Sequence, residues 1–186
     1  MIVEQTNKGR QKVTLLRGYK TVLVNEFFKK PVPRGTVVRE NACTVVHRHS
    51  YGGLSRFFDE LAQGRLFGKI CIERSCRAKP TWGIWLPPRV HCPDCWEEMS
   101  WVEIMDADKA IAYTHSLTNL PGAGFMLSTP CPLISVEIPG VCTKFMSYLS
   151  EFGVGEPYIG MPVRPVFRKR RPTHTILDVS WVPREI

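Results

Sequence analysis

Four cysteines form two close pairs, and their spacing suits a metal ion. Four residues separate Cys71 from Cys76, two separate Cys92 from Cys95, and fifteen lie between the pairs. Thiolates at this spacing are typical of a four-cysteine zinc ribbon. Four thiolates fill the tetrahedral shell of Zn²⁺ and leave no position for water or substrate. We therefore predict one structural zinc per chain, bound by Cys71, Cys76, Cys92 and Cys95.

The gap within the first pair is wider than the usual two residues, so alternatives stay open. His91 precedes Cys92 and could replace a cysteine as ligand. The four thiols could also hold iron in a rubredoxin-type centre, or remain unligated. Five nearby cations are candidates to offset the negative charge of the thiolates. They are Lys69, Arg74, Arg77, Lys79 and Arg89.

Other residues with catalytic potential have a simpler interpretation. Cys131 and Cys142 fall in apolar segments, where a free cysteine is usually a small buried hydrophobe. His47 and His49 are interpreted as surface residues, with contact to a ligand phosphate as the alternative. No Cys/His or Ser/His/Asp arrangement and no glycine-rich phosphate loop is recognisable. We predict that the chain has no catalytic residue of its own.

Composition and charge narrow the class of protein. No run of about 18 apolar residues and no signal peptide occurs, so we expect a cytoplasmic protein. In such a chain, an odd number of cysteines, seven, favours metal ligation over disulfides. The net charge of +8 is uneven, because residues 1–50 contain ten Lys or Arg and only three acidic residues. This basic segment is predicted to be an arm outside the core.

Local patterns predict one helix and a series of strands. Ser55 is the expected N-cap of a short helix, Phe57, Phe58 and Leu61 would share its buried face, and Gly64 would end it. Runs of aromatic and branched residues predict strands at 66–72, 82–86, 101–105, 110–117, 133–138, 143–149, 163–168 and 175–182.

The predicted elements give a mainly β fold. The last five strands suit a small closed barrel of the oligonucleotide/oligosaccharide-binding (OB) type. We expect a basic, partner-binding N-terminal extension at 1–54, a helix plus rubredoxin-like zinc ribbon at 55–100, and a five-stranded OB-fold domain at 101–186.

An ordered series of short motifs runs from residue 55 to residue 184. It comprises Phe57-Phe-Asp-Glu-Leu-Ala-Gln-Gly-Arg-Leu, Cys71 and Cys76, Leu86-Pro-Pro-Arg-Val-His-Cys-Pro-Asp-Cys, Trp101-Val-Glu-Ile, Ala112-Tyr-Thr and Ile159-Gly-Met-Pro-Val-Arg-Pro-Val-Phe. Together these motifs resemble the acyl-CoA-associated zinc-ribbon/OB-fold proteins. The first fifty residues have no counterpart in this resemblance.

The resemblance implies a supporting role in acyl-CoA chemistry. Proteins of this family are small partners of thiolases, acetyltransferases and aldolases that act on CoA thioesters, and they assemble with a thiolase-fold dimer. The catalytic residues then lie in the partner, and the acyl-CoA is a ligand of the complex. Benzoylsuccinyl-CoA is one aromatic thioester among the substrates that the resemblance suggests.

Two residue groups acquire a second interpretation from this resemblance. The basic run Arg168, Lys169, Arg170 and Arg171 is either a solvated strand end or a contact for CoA phosphates or a partner's acidic residues. The tryptophans are interpreted mainly as packing around the ribbon, and any exposed one as part of a partner interface. They are Trp82, Trp85, Trp96 and Trp101.

Two other function classes remain open. A single-stranded nucleic-acid binder would also combine a ribbon, a barrel, cations and aromatic residues. The charge distribution argues against it, because residues 51–186 have fifteen Lys or Arg and fourteen acidic residues. A stand-alone CoA-binding regulator is the other alternative, and it predicts a stable monomer without an enzyme partner.

Overall fold

Short strands dominate the computed structural model, which describes residues 10–15, 50–120 and 125–184. The helices are α1 (Ser55–Gln63) and α2 (Arg74–Arg77). The strands are β1 (Gln11–Lys12), β2 (Phe67–Ile70), β3 (Ser100–Glu103), β4 (Ala110–Thr118), β5 (Cys131–Glu137), β6 (Phe145–Tyr148), β7 (Glu151–Phe152), β8 (Pro162–Phe167) and β9 (Val179–Pro183). Within these ranges, neither helix has the length and apolarity needed to cross a bilayer.

Helix α1 confirms the predicted short helix but begins differently. Phe57 and Leu61 are buried on one face, as their spacing predicts. Ser55 is the first helical residue rather than the N-cap, and its hydroxyl donates to the Gly52 carbonyl at 2.8 Å. Gly64 ends the helix in the left-handed region, with φ of 85°, which a glycine adopts without a steric penalty.

Five antiparallel strands form a sheet with the order β6-β5-β4-β8-β9. The chain beyond β6 meets β9 through a parallel bridge between Leu149 and Trp181. The Ser150 N–H also donates to the Trp181 carbonyl at 2.9 Å. The sheet therefore curls until its two edge strands meet, which agrees with the predicted five-stranded barrel.

Most predicted strands are present, with ends displaced by no more than two residues. Residues 82–86 differ, because only isolated bridges from Ile84 to Val141 and from Trp85 to Lys69 occur there. Pro87 and Pro88 follow and have no backbone N–H to donate to a ladder.

The predicted strand 175–182 begins later than expected. A 3₁₀ turn occupies Ile176–Asp178, and β9 begins only at Val179. The Thr175 hydroxyl accepts from the Leu177 N–H at 3.2 Å, and the Asp178 carboxylate accepts from the His174 N–H at 2.7 Å. Such side-chain bonds to nearby backbone favour a turn over a strand.

One large core joins α1 to the barrel. Phe57 and Leu61 of the helix are buried together with Phe145 and Trp181 of the sheet. The paired cysteines and Met99 form a separate, smaller cluster. Strand β3 crosses the proposed boundary at residue 100 and pairs with β2, and the division into domains stays a prediction.

The described part of the N-terminal extension departs from the expected arm. Strand β1 pairs with β7, and Leu15 bridges to Leu127. Val13 is only 6% exposed and belongs to the large core. The alternation of Lys12, Val13, Thr14 and Leu15 explains this, because every second side chain of an extended segment faces the same way.

Candidate metal centre

The four paired cysteines meet at one point. Their sulfur atoms all lie within 4.8 Å of one another. The distance from Cys71 Sγ to Cys95 Sγ is 3.6 Å, and the distance from Cys76 Sγ to Cys92 Sγ is 3.9 Å. A tetrahedron with metal–sulfur bonds of about 2.3 Å has sulfur–sulfur edges of about 3.8 Å. The spacing therefore fits four thiolates around one metal ion, and it is far longer than the roughly 2.05 Å of a disulfide.

The two halves of the cluster come from two tight turns. Cys71 directly follows β2, and Cys76 lies in the single turn of α2. The second turn is closed by two bonds: the Cys92 N–H donates to the Glu97 carbonyl, and the Trp96 N–H donates to the Cys92 carbonyl, both at 2.9 Å. Because each turn is stabilised by its own backbone bonds, the four sulfurs are held in place by short segments of chain.

Backbone amides of the turns favour the thiolate form. Burial alone would raise the pKa of Cys92, but the N–H groups of Asp94 and Cys95 donate to its sulfur, and the net result is a pKa of about 7. The Glu73 N–H acts in the same direction on Cys71, but burial dominates there and raises the pKa to about 12. A metal ion must therefore displace a proton from Cys71 when it binds.

One of the five predicted cations, Lys79, forms an ion pair between the two turns of the cluster. The Lys79 ammonium lies 2.9 Å from the Asp94 carboxylate and joins the two turns. The hydrogen bond to Asp94 raises the pKa of Lys79, with smaller contributions from Cys76 and Cys92. Lys79 is thus the predicted cation with a direct electrostatic link to the sulfurs.

The other predicted cations have different surroundings. Lys69 is only 1% exposed, and its ammonium lies 4.8 Å from the centre of the Trp101 ring and 3.7 Å from the Glu98 carboxylate. The Arg89 guanidinium stacks on Trp85 at 4.9 Å. Arg74 and Arg77 are exposed. These contacts stabilise the ribbon through its aromatic side chains.

His91 does not belong to the cluster. Its backbone bridges to Glu98, and the four sulfurs group without it. The alternative in which His91 replaces a cysteine is therefore not what the geometry favours.

The tryptophans fall into two groups, those that pack around the ribbon and those exposed at the surface. The Trp82 indole N–H donates to the Cys71 carbonyl at 2.8 Å, and Trp85 packs against the cysteine cluster. Trp101 contacts two cations, with the Arg56 guanidinium 5.5 Å and the Lys69 ammonium 4.8 Å from its ring centre. Trp96 is different, because 77% of it is exposed. Packing explains Trp85 and Trp101, whereas Trp82, at 43% exposed, and Trp96 both lie at the surface.

Three residues of the basic run Arg168 to Arg171 line one cavity of about 280 Å³. Its polar lining residues are Tyr148, Ser150, Arg168, Lys169, Arg170, Asp178 and Ser180. The Arg168 Nε is buried and has no hydrogen-bond partner among the described residues. Lys169 lies over Gly64, where an added methyl group would come within 2.0 Å of its Cε. Arg170 and Arg171 are exposed.

The unpaired cysteines differ from each other. Cys131 is fully buried in β5, and burial raises its pKa to about 11, as expected of a core residue. Cys142 is exposed, which corrects its prediction as a buried hydrophobe, although its thiol still donates to the Ile84 carbonyl at 3.3 Å. His47 and His49 lie outside the described residues.

Several residues around the site carry no signal in the sequence. The amides of Glu73 and Asp94 belong to residues of unremarkable type, although the Cys-Pro-Asp-Cys spacing is a sign of the second turn. Tyr148 and Ser180 join Arg168 only because the barrel closes between distant strands. Pattern reading does not detect such long-range neighbours.

Comparison with solved structures finds chains of the same fold. One is a protein of unknown function of the DUF35 family from Sulfolobus solfataricus, 18% identical, matching 72% of this chain and 87% of that one with a TM-score of 0.50. Another belongs to the Ltp2-ChsH2(DUF35) aldolase, 20% identical, matching 69% of this chain and 92% of that one with a TM-score of 0.50. The likeness shows the fold. No protein-family model and no curated protein matches the chain.

Proposed function

We propose that Cys71, Cys76, Cys92 and Cys95 bind one structural Zn²⁺. The observation that carries this proposal is the sulfur spacing of 3.6 and 3.9 Å, which suits a tetrahedral four-thiolate site. The amide donors at Cys92 support it, because they stabilise negative charge on the sulfur. When bound, zinc cross-links the two turns and contributes its binding free energy to folding.

A four-thiolate centre has no open coordination position, so its role in any reaction is indirect. We propose that the chain is a non-catalytic subunit of an enzyme complex that acts on acyl-CoA thioesters. The motifs of residues 55–184 support this proposal, and so does a fold shared with a chain of the Ltp2-ChsH2(DUF35) aldolase.

The proposed partner is a thiolase-fold catalytic subunit. Thiolytic carbon–carbon cleavage or acyl transfer would then occur on the partner's own residues, with an aromatic thioester such as benzoylsuccinyl-CoA as one substrate. The ribbon supplies a rigid platform beside the barrel, and the two together shape the access of the acyl-CoA to the partner's active site. The exposed indole of Trp96 is a suitable contact for that partner.

The cavity beside Arg168 is the proposed contact for a CoA phosphate. A guanidinium Nε that is buried without a partner carries a desolvation cost, which an anion would offset. The hydroxyls of Tyr148, Ser150 and Ser180 line the same space, but each donates to a backbone carbonyl, of Leu177, Trp181 and Val166 respectively. Of the basic run, Arg168 is therefore the residue that we expect to contact an anion directly.

Reconstitution tests the proposed function. The chain is co-expressed with each thiolase-fold or aldolase-fold acyl-CoA enzyme of the same genome, and complexes are isolated by size-exclusion chromatography. We expect one enzyme to co-elute with the chain and to cleave its acyl-CoA only in its presence. A double Cys92→Ser/Cys95→Ser variant serves as the matched control and should fail to restore activity. Full activity of that enzyme alone would contradict the proposal.

A further inference from the structure

The second cysteine turn has a left-handed backbone at position 96. The Trp96 N–H donates to the Cys92 carbonyl, and the Cys92 N–H donates to the Glu97 carbonyl, both at 2.9 Å. These two bonds reverse the chain at Trp96, whose φ is 64°. Glycine adopts this region without a steric penalty, whereas a bulky residue with a Cβ is strained there. Tryptophan therefore occupies a position at which glycine or asparagine would be less strained.

Burial does not compensate for this strain. Trp96 is 77% exposed, so its large indole ring contributes little to the hydrophobic core. Strained residues cluster at sites of binding and catalysis, where the conformation serves the function of the site. The turn also fixes the backbone from which the ring projects, and a side chain with few rotatable bonds loses little conformational entropy when it binds. Trp96 is therefore better suited to a contact with another molecule than to stabilising the turn.

The surroundings of this ring are acidic. Residues 91–98 contain three carboxylates, at Asp94, Glu97 and Glu98, and no Lys or Arg. Two of the three are paired with lysines, Asp94 at 2.9 Å and Glu98 at 3.7 Å. The carboxylate of Glu97, next to the tryptophan in the chain, has no ion pair among the described residues. Four thiolates around zinc add to the negative charge, because they outweigh the two charges of Zn²⁺. A cation would complement this region.

Other tryptophans of the ribbon already contact cations. The Arg89 guanidinium lies 4.9 Å from the Trp85 ring centre, and the Lys69 ammonium lies 4.8 Å from that of Trp101. Such contacts are strongest with tryptophan, and they strengthen when the pair is shielded from water. No cation of the described residues lies over the Trp96 ring. The exposed face of Trp96 can therefore accept a cation from another molecule.

We propose that Trp96 and Glu97 bind an arginine or lysine side chain on the surface of the partner, with the cation on the indole face and paired with the carboxylate. This inference deepens the proposed function and rests on it for the partner. The charge decides the kind of partner surface, because an acidic or apolar one would take water from Glu97 without supplying a counter-charge. The contact is one anchor in a larger interface, since stable interfaces bury roughly 1,200 Å² or more.

Opposite effects on folding and on binding test this proposal. Trp96→Asn removes the ring and most of the strain together, because asparagine tolerates the left-handed region. We expect the folding equilibrium constant of the free chain, measured in urea, to rise about threefold. We expect the dissociation constant of the complex with the co-eluting enzyme to rise about tenfold. Trp96→Phe keeps both a ring and the strain, so its dissociation constant should lie between those of wild type and Trp96→Asn.

The neighbouring carboxylate tests the charge of the partner surface. Glu97→Gln should raise the dissociation constant about fivefold and reduce its dependence on NaCl concentration, because one charge of the pair is removed. Asp108→Asn removes an exposed carboxylate outside the ribbon and is the matched control. It should leave both the dissociation constant and its salt dependence as in wild type.

The possible outcomes separate this contact from the proposed function. Equal binding by Trp96→Asn, or a less stable free chain, would assign Trp96 to packing and overturn the inference while the proposed function stands. Weaker binding by Trp96→Asn with no effect of Glu97→Gln or salt would overturn the cationic partner surface. Failure of every candidate enzyme to bind would overturn both proposals. A dimer of the free chain that Trp96→Asn abolishes would overturn the partner enzyme as the source of the cation and assign it to a second copy.

Discussion

At the scale of residues, Cys92 shows how a turn prepares a metal ligand. Its sulfur accepts from two backbone N–H groups, of Asp94 and Cys95, and these offset the burial that would otherwise keep the thiol protonated. Lys79 adds a cation beside Asp94 at 2.9 Å. A thiolate stabilised in this way is ready for a divalent metal at neutral pH.

Replacement of one ligand should remove the metal. Cys92→Ser leaves a hydroxyl, which is a poor substitute for a thiolate around zinc, and we expect less than about one tenth of the wild-type zinc per chain. Inductively coupled plasma mass spectrometry of the purified protein measures the ratio. Cys142→Ser is the matched control, because Cys142 is exposed and lies outside the sulfur cluster. Equal zinc in both variants would refute the ligand assignment.

Arg168 and Arg171 should affect substrate binding differently. Arg168→Gln removes from the cavity a guanidinium whose Nε is buried, and we expect the KM of the reconstituted complex for its acyl-CoA to rise about tenfold with kcat nearly unchanged. Arg171→Gln, at an exposed site, should change KM by less than about twofold. Steady-state kinetics on both variants measures these changes in KM. Equal changes in KM would argue against a phosphate contact at Arg168.

Cys131 should make stability depend on alkaline pH. Its pKa is raised by burial from 9.0 to about 11 in the folded chain, so the unfolded chain loses this proton first as pH rises. The free energy of unfolding should therefore fall between pH 9 and pH 11. Thermal melting of Cys131→Ala over this range should show a shallower decline than wild type. Parallel declines would show that Cys131 does not contribute.

The sequence predicts the role of a residue best where that role depends on its near neighbours in the chain. Two cysteine pairs with short gaps indicate turns that each supply two ligands, whatever the rest of the fold does. The exposure of Cys142 and the contact of Lys169 with Gly64 depend on which distant segments pack nearby, and no local pattern reports that.

At the scale of elements, the end of α1 is set by Gly64. A left-handed φ of 85° disfavours any residue with a Cβ, and a methyl group there would meet Lys169 Cε at 2.0 Å. Gly64→Ala should lower the free energy of unfolding by about 2 kcal/mol in urea denaturation. Gly52→Ala is the control, with φ of 52° and nothing within 4 Å, and should cost about 1 kcal/mol.

A double variant separates the cost of the left-handed φ at Gly64 from the cost of displacing Lys169. Gly64→Ala in a Lys169→Ala background has no lysine to displace, so its effect should approach that of Gly52→Ala. If Gly64→Ala lowers the free energy of unfolding equally with and without Lys169, the contact between Lys169 and the helix end does not contribute to stability.

Elements were predictable where the periodicity is clear. Alternating or continuous apolar runs located β4, β5 and β8 within two residues. The segment at 82–86 has the composition of a strand, but prolines follow it and only single bridges form. The side chains of Thr175 and Asp178 accept from the N–H groups of Leu177 and His174, and these bonds replace the expected strand start by a turn.

At the scale of the whole molecule, the closure of the sheet brings residues that are far apart in the sequence into contact. Tyr148 and Ser150, on either side of the Leu149–Trp181 bridge in sequence, line the cavity with Arg168, and Val13 of the N-terminal segment packs in the same core. Composition assigned that segment to an outer arm because residues 1–50 contain ten Lys or Arg and only three acidic residues. Two alternating apolar residues, Val13 and Leu15, were enough to attach it to the barrel.

X-ray absorption at the zinc edge of the purified protein tests whether the four cysteines bind a structural zinc. We predict one zinc per chain with four sulfur neighbours at about 2.3 Å and no nitrogen or oxygen ligand. A folded protein without metal, or a metal with a histidine nitrogen or water in its shell, would contradict it.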